Sequence, residues 1–525
     1  MLRLLKRRLL AAAVALLSIQ AAAAWTNPNS TPLIEAAKEK RTDVALRLIA
    51  EGADVKAREV DGTTALHYAA HNGDVELVAK LLRAGADPAV SNDYGATPLG
   101  EAAVYGNTEI IRLLLKAGAP ADQPNPEGQT PLMVVARTGN VEAAKLLIRK
   151  GANVNAVEQW GGQTALMWAC AQGHPDMVRL LIKHGANVNA RAIVRDWQRR
   201  VTAEGRPKDM NRGGLTPLLY AARDGCIECA KALVEGGADI NLPDPDGTTP
   251  LVLALMNMHF DLAAYLIEAG ADVNKWDFWG QTPLYVAVDM NTLPTGGRPD
   301  IPSTDRLTGY DIAAMLLEKG ANPNIQLKLR PPYRNAVFDR GGDQVLSTGA
   351  TPLLLAAKVG DVESVKLLLR YNAKVNLPTS TGVTPLMAAA GMGHSFNPTR
   401  GRYKTDEQGA EVLKLLIEAG GEVNARAANG RTAMHAAASH GWNSTIRTLV
   451  ANGAELEPID SKGLAPIDFA VGRHEREFLE PEHKRHEETI QLLTELIVKA
   501  TGRAPKEFQG SLAQQTRGTG AAPLE

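Results

Sequence analysis

One short phrase returns along the chain and limits what the chain can become. It reads STPLIEAA at its first appearance, then TTALHYAA, ATPLGEAA, QTPLMVVA, QTALMWAC, LTPLLYAA, TTPLVLAL, QTPLYVAV, ATPLLLAA, VTPLMAAA, RTAMHAAA and LAPIDFAV. The anchor position is Thr31, Thr64, Thr97, Thr130, Thr164, Thr216, Thr249, Thr282, Thr351, Thr384, Thr432 and Ala465, a 33-residue period with a few insertions. A sequence that repeats at this period builds one small unit many times, and no single unit can bury its own apolar face. Stability must come from stacking neighbours, with modified units at the ends. The 525 residues therefore describe an array of about twelve units rather than one compact core.

Each unit reads as a helix pair. Threonine followed by proline suits a helix N-cap and first turn, because the hydroxyl accepts an orphan N–H and proline has none to leave unpaired. Seventeen residues on, pairs such as Leu81-Leu82, Leu114-Leu115 and Leu266-Ile267 mark the buried stripe of a second helix. Four residues later stands Gly52, Gly85, Gly118, Gly151, Gly185, Gly237 or Gly270, with Asn372 once in its place, as a left-handed stop requires. Alanine pairs such as Ala69-Ala70 and Ala102-Ala103 permit close helix approach.

The period, the TPLHxAA-like phrase and the Gly-Ala-Asp/Asn-Val-Asn exit together resemble the ankyrin repeat, across about residues 30 to 500. The resemblance implies a mainly α fold, a curved solenoid of helix-loop-helix units with short β-hairpin fingers, and protein binding as its use. Departures fall at the ends, where Lys40 replaces a turn glycine and Ala465 and Asp468 alter the last phrase. The family's histidine survives as His67 and His435 only.

Four insertions interrupt the array, near 191–213, 291–309, 327–349 and 393–409. Two enlarge fingers and two lie between paired helices, and loops of this kind commonly carry function. Between Arg191 and Arg212 there are seven basic and three acidic residues, a site for an acidic partner or a solvated face packed on the stack. Val194, Trp197 and Val201 at helical spacing, with Arg195, Arg199 and Arg200 between them, predict a short amphipathic helix. The second finger insertion carries Lys328, Arg330, Arg334 and Arg340 around Pro331-Pro332-Tyr333, a pair that favours extended chain.

Residues 1–24 have the layout of a secretory signal peptide. Arg3, Lys6, Arg7 and Arg8 precede an apolar run from Leu9 to Ile19, and Ala22 and Ala24 place cleavage after Ala24. The run is too short to span a bilayer, so no stable membrane insertion of the mature chain is expected. Export to the periplasm of a Gram-negative bacterium is the first expectation and release to the medium the second. Without residues 1–24 the net charge changes from -1 to -5, which offers no general footprint for nucleic acid. Residues 501–525 lack apolar periodicity and read as a disordered tail.

Catalytic patterns are weak. Cys226-Ile227-Glu228-Cys229 has the form of a redox motif near a helix start, yet Cys229 fills the slot of Leu77, Ile110 and Met177 and Cys226 a turn slot. Both readings stand, a thiol-disulfide oxidoreductase or repeat positions that join in a structural disulfide in an oxidising compartment. Cys170 replaces a buried alanine. His474, His483 and His486 lie among six glutamates, where a charged capping face outweighs a metal site. The sequence contains no phosphate loop, nucleophile elbow or dinucleotide glycine pattern, so no enzyme activity, cofactor or metal is expected.

The strongest candidate site is a finger. Trp276, Phe278 and Trp279 fall where other units carry Pro243, Pro245 and Asp246, or Ser91, Asp93 and Tyr94. In an ankyrin-like stack such positions face outward, and aromatics dominate interface hot spots. Met256 with Asn257, and Asp289 with Met290, are expected to continue the surface along the inner helices. Trp160 and Tyr94 are expected to extend it, with Arg199, Arg200 and Arg334 supplying a positive border. Inserted loops covering the aromatics is the competing arrangement. The expected function is a non-enzymatic scaffold that binds another protein, with a secreted effector acting on a host protein as an alternative.

Overall fold

The computed structural model describes residues 31–196, 200–201, 208–209, 212–291, 304–331, 345–394, 404–473 and 485–506. Within them run 24 helices in antiparallel pairs, an ankyrin-repeat stack of about twelve repeats. The chain divides into two compact units. One runs to Ile193 and takes in Lys231–Gly237; the other takes Val194–Ala230 and the chain from Ala238 onward. No helix among the described residues is long and apolar enough to cross a membrane.

A regular repeat of the first unit shows why the sequence folds this way. Thr97 Oγ1 accepts from Gly100 N at 3.0 Å and starts helix Pro98–Val104, with proline in the first turn. Asn107 starts the second helix, Thr108–Lys116, by accepting from Ile110 N at 3.2 Å. Leu99, Ala102 and Ala103 of the first helix and Ile110, Ile111 and Leu114 of the second are all fully buried. Gly118 at φ 99 stops the helix, and Ala119 N returns to Leu114 O at 3.0 Å. A Leu99→Ala change should cost about 2–5 kcal/mol by opening a cavity in this layer.

Neighbouring repeats are tied by side chains that the repeat phrase itself supplies. Asparagines after the later left-handed stops form a ladder: in the second unit Asn274 Nδ2 donates to Gly320 O at 3.1 Å, and Asn322 N donates to Asn274 Oδ1 at 2.8 Å. Asn324, Asn376 and Asn424 repeat the same pair of bonds to the next repeat. The two retained histidines act as neutral braces. His435 Nδ1 meets Thr432 N at 3.0 Å and its Nε2 meets Leu464 O at 3.1 Å, and burial pushes its pKa down to about 4. His67 makes the same contacts to Thr64 and Ala96.

The fingers depart from the expected β-hairpins. Among the described residues the regular ones are tight turns, closed at the base by one backbone bond, as Asn92 N to Ala96 O at 3.1 Å. A second backbone bond joins each to its neighbour, as Asp93 N to Asp61 O at 2.8 Å. Such turns are too short for ladders. Among the described residues strand pairing appears only where the first insertion lengthens a finger: β1 (Arg200–Val201) and β2 (Lys208–Asp209) run antiparallel, beyond a bridge between Val194 and Gly213. The expected amphipathic helix is thus replaced by a β-ribbon. The closed finger base sends the two arms out side by side, which favours pairing over coiling.

The other insertions rejoin the stack through polar clasps. After the one near 291–309, Asp261 accepts from Arg306 N and Leu307 N, and Thr308 and Asp311 form a capping box on helix Gly309–Glu318. After the one near 393–409, the buried Lys404 Nζ donates to Ala388 O and Ala389 O, both at 2.6 Å, at the end of helix Pro385–Ala389. The second finger insertion leaves its base intact, with Leu327 N on Ala350 O at 2.9 Å. At the C-terminus the ordered chain reaches further than the expected tail boundary. Helix Glu487–Thr501 ends at Gly502, and Arg503 and Lys506 N both hold Glu457.

Candidate protein-docking finger

The aromatic finger spans the turn between the stop of helix Phe260–Glu268 and the cap of helix Pro283–Asn291, in the second unit. Its tip is organised by Asp277. Oδ1 of this buried carboxylate accepts from Trp279 N at 3.0 Å and Gln281 N at 2.8 Å, while Asp277 N donates to Gln281 O at 3.2 Å. Those bonds turn the chain so that Trp276 and Phe278 point outward, 46% and 41% exposed, and Trp279 lies half-buried. Phe278 and Trp279 meet edge to face at 5.5 Å between ring centres, a favoured aromatic geometry. Phe278 N donates to Asp246 O at 2.8 Å and fixes this finger to the one before it.

The finger after it supplies the other half of the site. Lys328 N and Leu329 N both donate to Trp279 O, at 2.9 and 3.1 Å. The Lys328 ammonium sits over the Trp276 ring, 3.0 Å from its centre, a cation–π contact. Gly280 makes this approach possible: at φ 84 it turns the chain, and a Cβ there would stand 2.6 Å from Lys328 N. Leu329 is exposed beside it. Among the described residues the downstream segment therefore backs the aromatics without covering them. It holds Trp276 from one side and leaves half of its surface open.

The remaining candidates fall elsewhere. Met256 and Met290 are half-buried near the ends of helices Pro250–Met256 and Pro283–Asn291, and so present surface from the helices rather than from the finger. Asp289, expected on the inner surface, is fully buried. The insertion that follows extends its helix to nine residues, where Pro250–Met256 has seven, and Asn291 is drawn into bonds with Asp361 and Tyr310 N. Asn257 spends its amide on Leu253 O. Tyr94 and Trp160 belong to the first unit, 73% and 70% exposed on their own fingers. Arg199 and Arg334 lie outside the described residues, as do His474 and His483; Arg200 is described as part of β1 alone. The positive charge at the aromatic finger comes instead from Lys328, which the sequence shows only as one of several basic residues in an insertion.

Cys226 and Cys229 are joined in a disulfide. Cys229 is fully buried at the slot that leucine, isoleucine and methionine fill in other repeats, and its N–H points at Cys226 Sγ at 3.2 Å. Helix Ile227–Glu235 starts between them, so the bridge closes the helix start of an ordinary repeat. His486, the one described member of the late histidine group, reaches Ser439 O at 3.1 Å and serves as a brace between repeats.

Comparison with known proteins agrees with this architecture. The family model described as ankyrin repeats (3 copies) matches residues 9–92, 33–125, 99–192, 218–327, 332–396 and 405–498, and a single ankyrin-repeat model matches 381–428. Protein phosphatase 1 regulatory subunit 12A of Mus musculus is 43% identical over 60 residues, 11% of this chain and 6% of that protein, and its Rattus norvegicus counterpart matches equally. The chain thus spans a small fraction of the length of these curated relatives. Among solved structures, the human ASB11 ankyrin repeat domain aligns at 26% identity over 46% of this chain and 99% of that one, with a TM-score of 0.38. Repeats of this kind are generally non-enzymatic scaffolds, and with family models covering most of its length, the chain belongs to the ankyrin-repeat family.

Proposed function

We propose that the protein is an exported, non-enzymatic docking scaffold that binds another protein through the finger carrying Trp276, Phe278 and Trp279. The observation behind this reading is the half-open aromatic cluster of Trp276 and Phe278, ordered by Asp277 and backed by Lys328. Large aromatics held in place at a surface bind with little loss of side-chain freedom, and for that reason they anchor interfaces. Lys328 and Leu329 beside the rings suit a partner segment with an apolar anchor and an acidic neighbour. Met256 and Met290 are secondary contact candidates on the helices.

Residues 1–24 support export, with cleavage after Ala24 and the periplasm as the first destination. A disulfide between Cys226 and Cys229 suits an oxidising compartment. The test of location is mass analysis of the protein from fractionated cells: a mature chain starting at Trp25 is expected, and a retained leader contradicts export. The test of docking is cross-linking of the mature protein in its native envelope, followed by titration of the identified partner against Trp276→Ala. The name of the phosphatase regulatory subunit favours a second reading, a protein phosphatase as partner, over the short stretch that the similarity covers. Direct titration with a phosphatase catalytic subunit decides it.

A further inference from the structure

The aromatic finger is held by an aspartate whose second oxygen is buried and has no hydrogen-bond partner among the described residues. Three residues before the finger glycine stand Asn92, Asn125, Asp244 and Asp277. Asn92 shows one way of filling the position. Its Oδ1 accepts from Tyr94 N at 3.1 Å and Ala96 N at 2.9 Å, and its Nδ2 donates to Thr63 Oγ1 at 3.0 Å. Asn92 thus uses one acceptor atom for two amides and one donor atom on the other arm, while Asp244 and Asp460 in other fingers supply the acceptor and have the Thr248 hydroxyl or the Arg431 guanidinium beside the carboxylate.

Asp277 supplies the acceptor and, while ionised, lacks a donor. Oδ1 takes the two amides, but the residue is 1% exposed and Oδ2 has no hydrogen-bond partner among the described residues. The counterpart of Thr63 is Thr248, whose hydroxyl bonds to Asp244 instead. The charged residues on the neighbouring fingers include Asp244 and Asp246 on the preceding one, Lys275 on its own, and Lys328 and Arg330 on the following segment, and of these Asp244 acts on Asp277 directly. Lys275 Nζ is turned to Asn241 O at 2.9 Å and Lys328 Nζ to the Trp276 ring, so neither is spent on Oδ2. Asp244 adds repulsion. Burial above all, opposed by the two amides and reinforced by Asp244, pushes the Asp277 carboxyl up to about 7.

We propose that Asp277 is a proton-operated latch on the docking finger. With a proton on Oδ2 the buried side chain carries no charge, and the turn holds Trp276, Phe278 and Trp279 in place. Loss of that proton to water leaves a buried charge facing Asp244, and the turn loosens around Trp279, whose amide the carboxylate holds. The consequence for binding rests on the docking function proposed for these aromatics; the latch itself does not. It makes docking tightest on the acidic side of neutrality.

The full chain labelled with 5-fluorotryptophan tests this by fluorine NMR between pH 5 and 9, with Trp276→Phe and Trp279→Phe assigning the two signals. The Trp279 resonance is expected to move along a titration curve with a midpoint of about 7. Asp277→Asn should flatten that curve, and Asp244→Asn should keep it but lower its midpoint. A Trp279 signal that stays flat in the wild type, or one that still titrates in Asp277→Asn, overturns the latch. The readout needs no partner. A flat signal therefore sinks the latch and leaves docking standing, whereas unchanged partner affinity in Trp276→Ala sinks docking and leaves an observed titration intact.

Discussion

The Tyr94 finger and the Trp276–Trp279 finger have the same backbone frame and different fates for their aromatics. Around Tyr94 the frame is completed by an amide, Asn92, and the ring stands 73% exposed at the tip. Around Trp276 the frame is completed by a buried carboxylate, and the rings are braced against each other and against Lys328. An exposed aromatic by itself is ordinary surface. An aromatic held by neighbours has already lost the freedom that binding would otherwise remove, and this sets the second finger apart as an anchor.

The largest effect that can break this comparison is on affinity. Trp276→Ala and Trp279→Ala should each weaken partner binding by about 2 kcal/mol or more, roughly thirtyfold, while Tyr94→Ala and Trp160→Ala should stay within about 0.5 kcal/mol. Isothermal titration gives the first quantity. Thermal melts of the same variants should stay close to wild type, because finger tips lie outside the layer of leucines and alanines between repeats. Equal losses at Tyr94 and Trp276 would erase the distinction between the fingers.

A second effect is on the pH dependence of stability. The folded-state pKa of Asp277 is raised from 3.8 to about 7, so the stability its proton carries is full below the lower value and lost as pH rises through the upper one. His435 works in the opposite sense: its folded-state pKa is lowered from 6.5 to about 4, so its contribution is full above the upper value and lost as pH falls through the lower one. Urea midpoints should therefore show Asp277→Asn gaining on the wild type as pH rises from 4 to 7. A constant difference across that window contradicts the assignment.

Most of the fold was legible because it repeats. Twelve copies of one phrase average out local exceptions, and threonine caps, glycine stops and leucine pairs fall in the structure where the spacing puts them, as at Thr97, Gly118 and Leu114. The insertions were not legible to the same degree, since each occurs once. Helical spacing of Val194 and Val201 pointed to a helix, but the closed finger base imposes a ribbon, a constraint that periodicity does not carry. The aromatic finger was visible as residue types in register. Its brace was not, because Lys328 reaches Trp276 across 52 residues of chain and nothing local marks it. Asp277 was equally hidden, since an aspartate in a turn is the ordinary choice and only its burial makes it unusual.

Smaller effects sharpen the account. Lys328→Ala should weaken partner binding by about 1 kcal/mol through loss of the cation–π brace, and Lys328→Arg should restore most of it. Replacing Cys226 with Ser and Cys229 with Val should leave partner affinity unchanged, and disulfide reductase assays on the wild type should show background turnover only. Turnover that disappears in the double variant would replace the scaffold with an oxidoreductase.

The most direct measurement places a photo-crosslinking amino acid at Phe278 and, in a separate protein, at Tyr94, each in the full chain expressed in its own cells. The account predicts a discrete partner adduct from position 278 that is lost when Trp276→Ala is added, and little or none from position 94. An adduct from position 94 with none from 278, or one at 278 indifferent to Trp276, would contradict it.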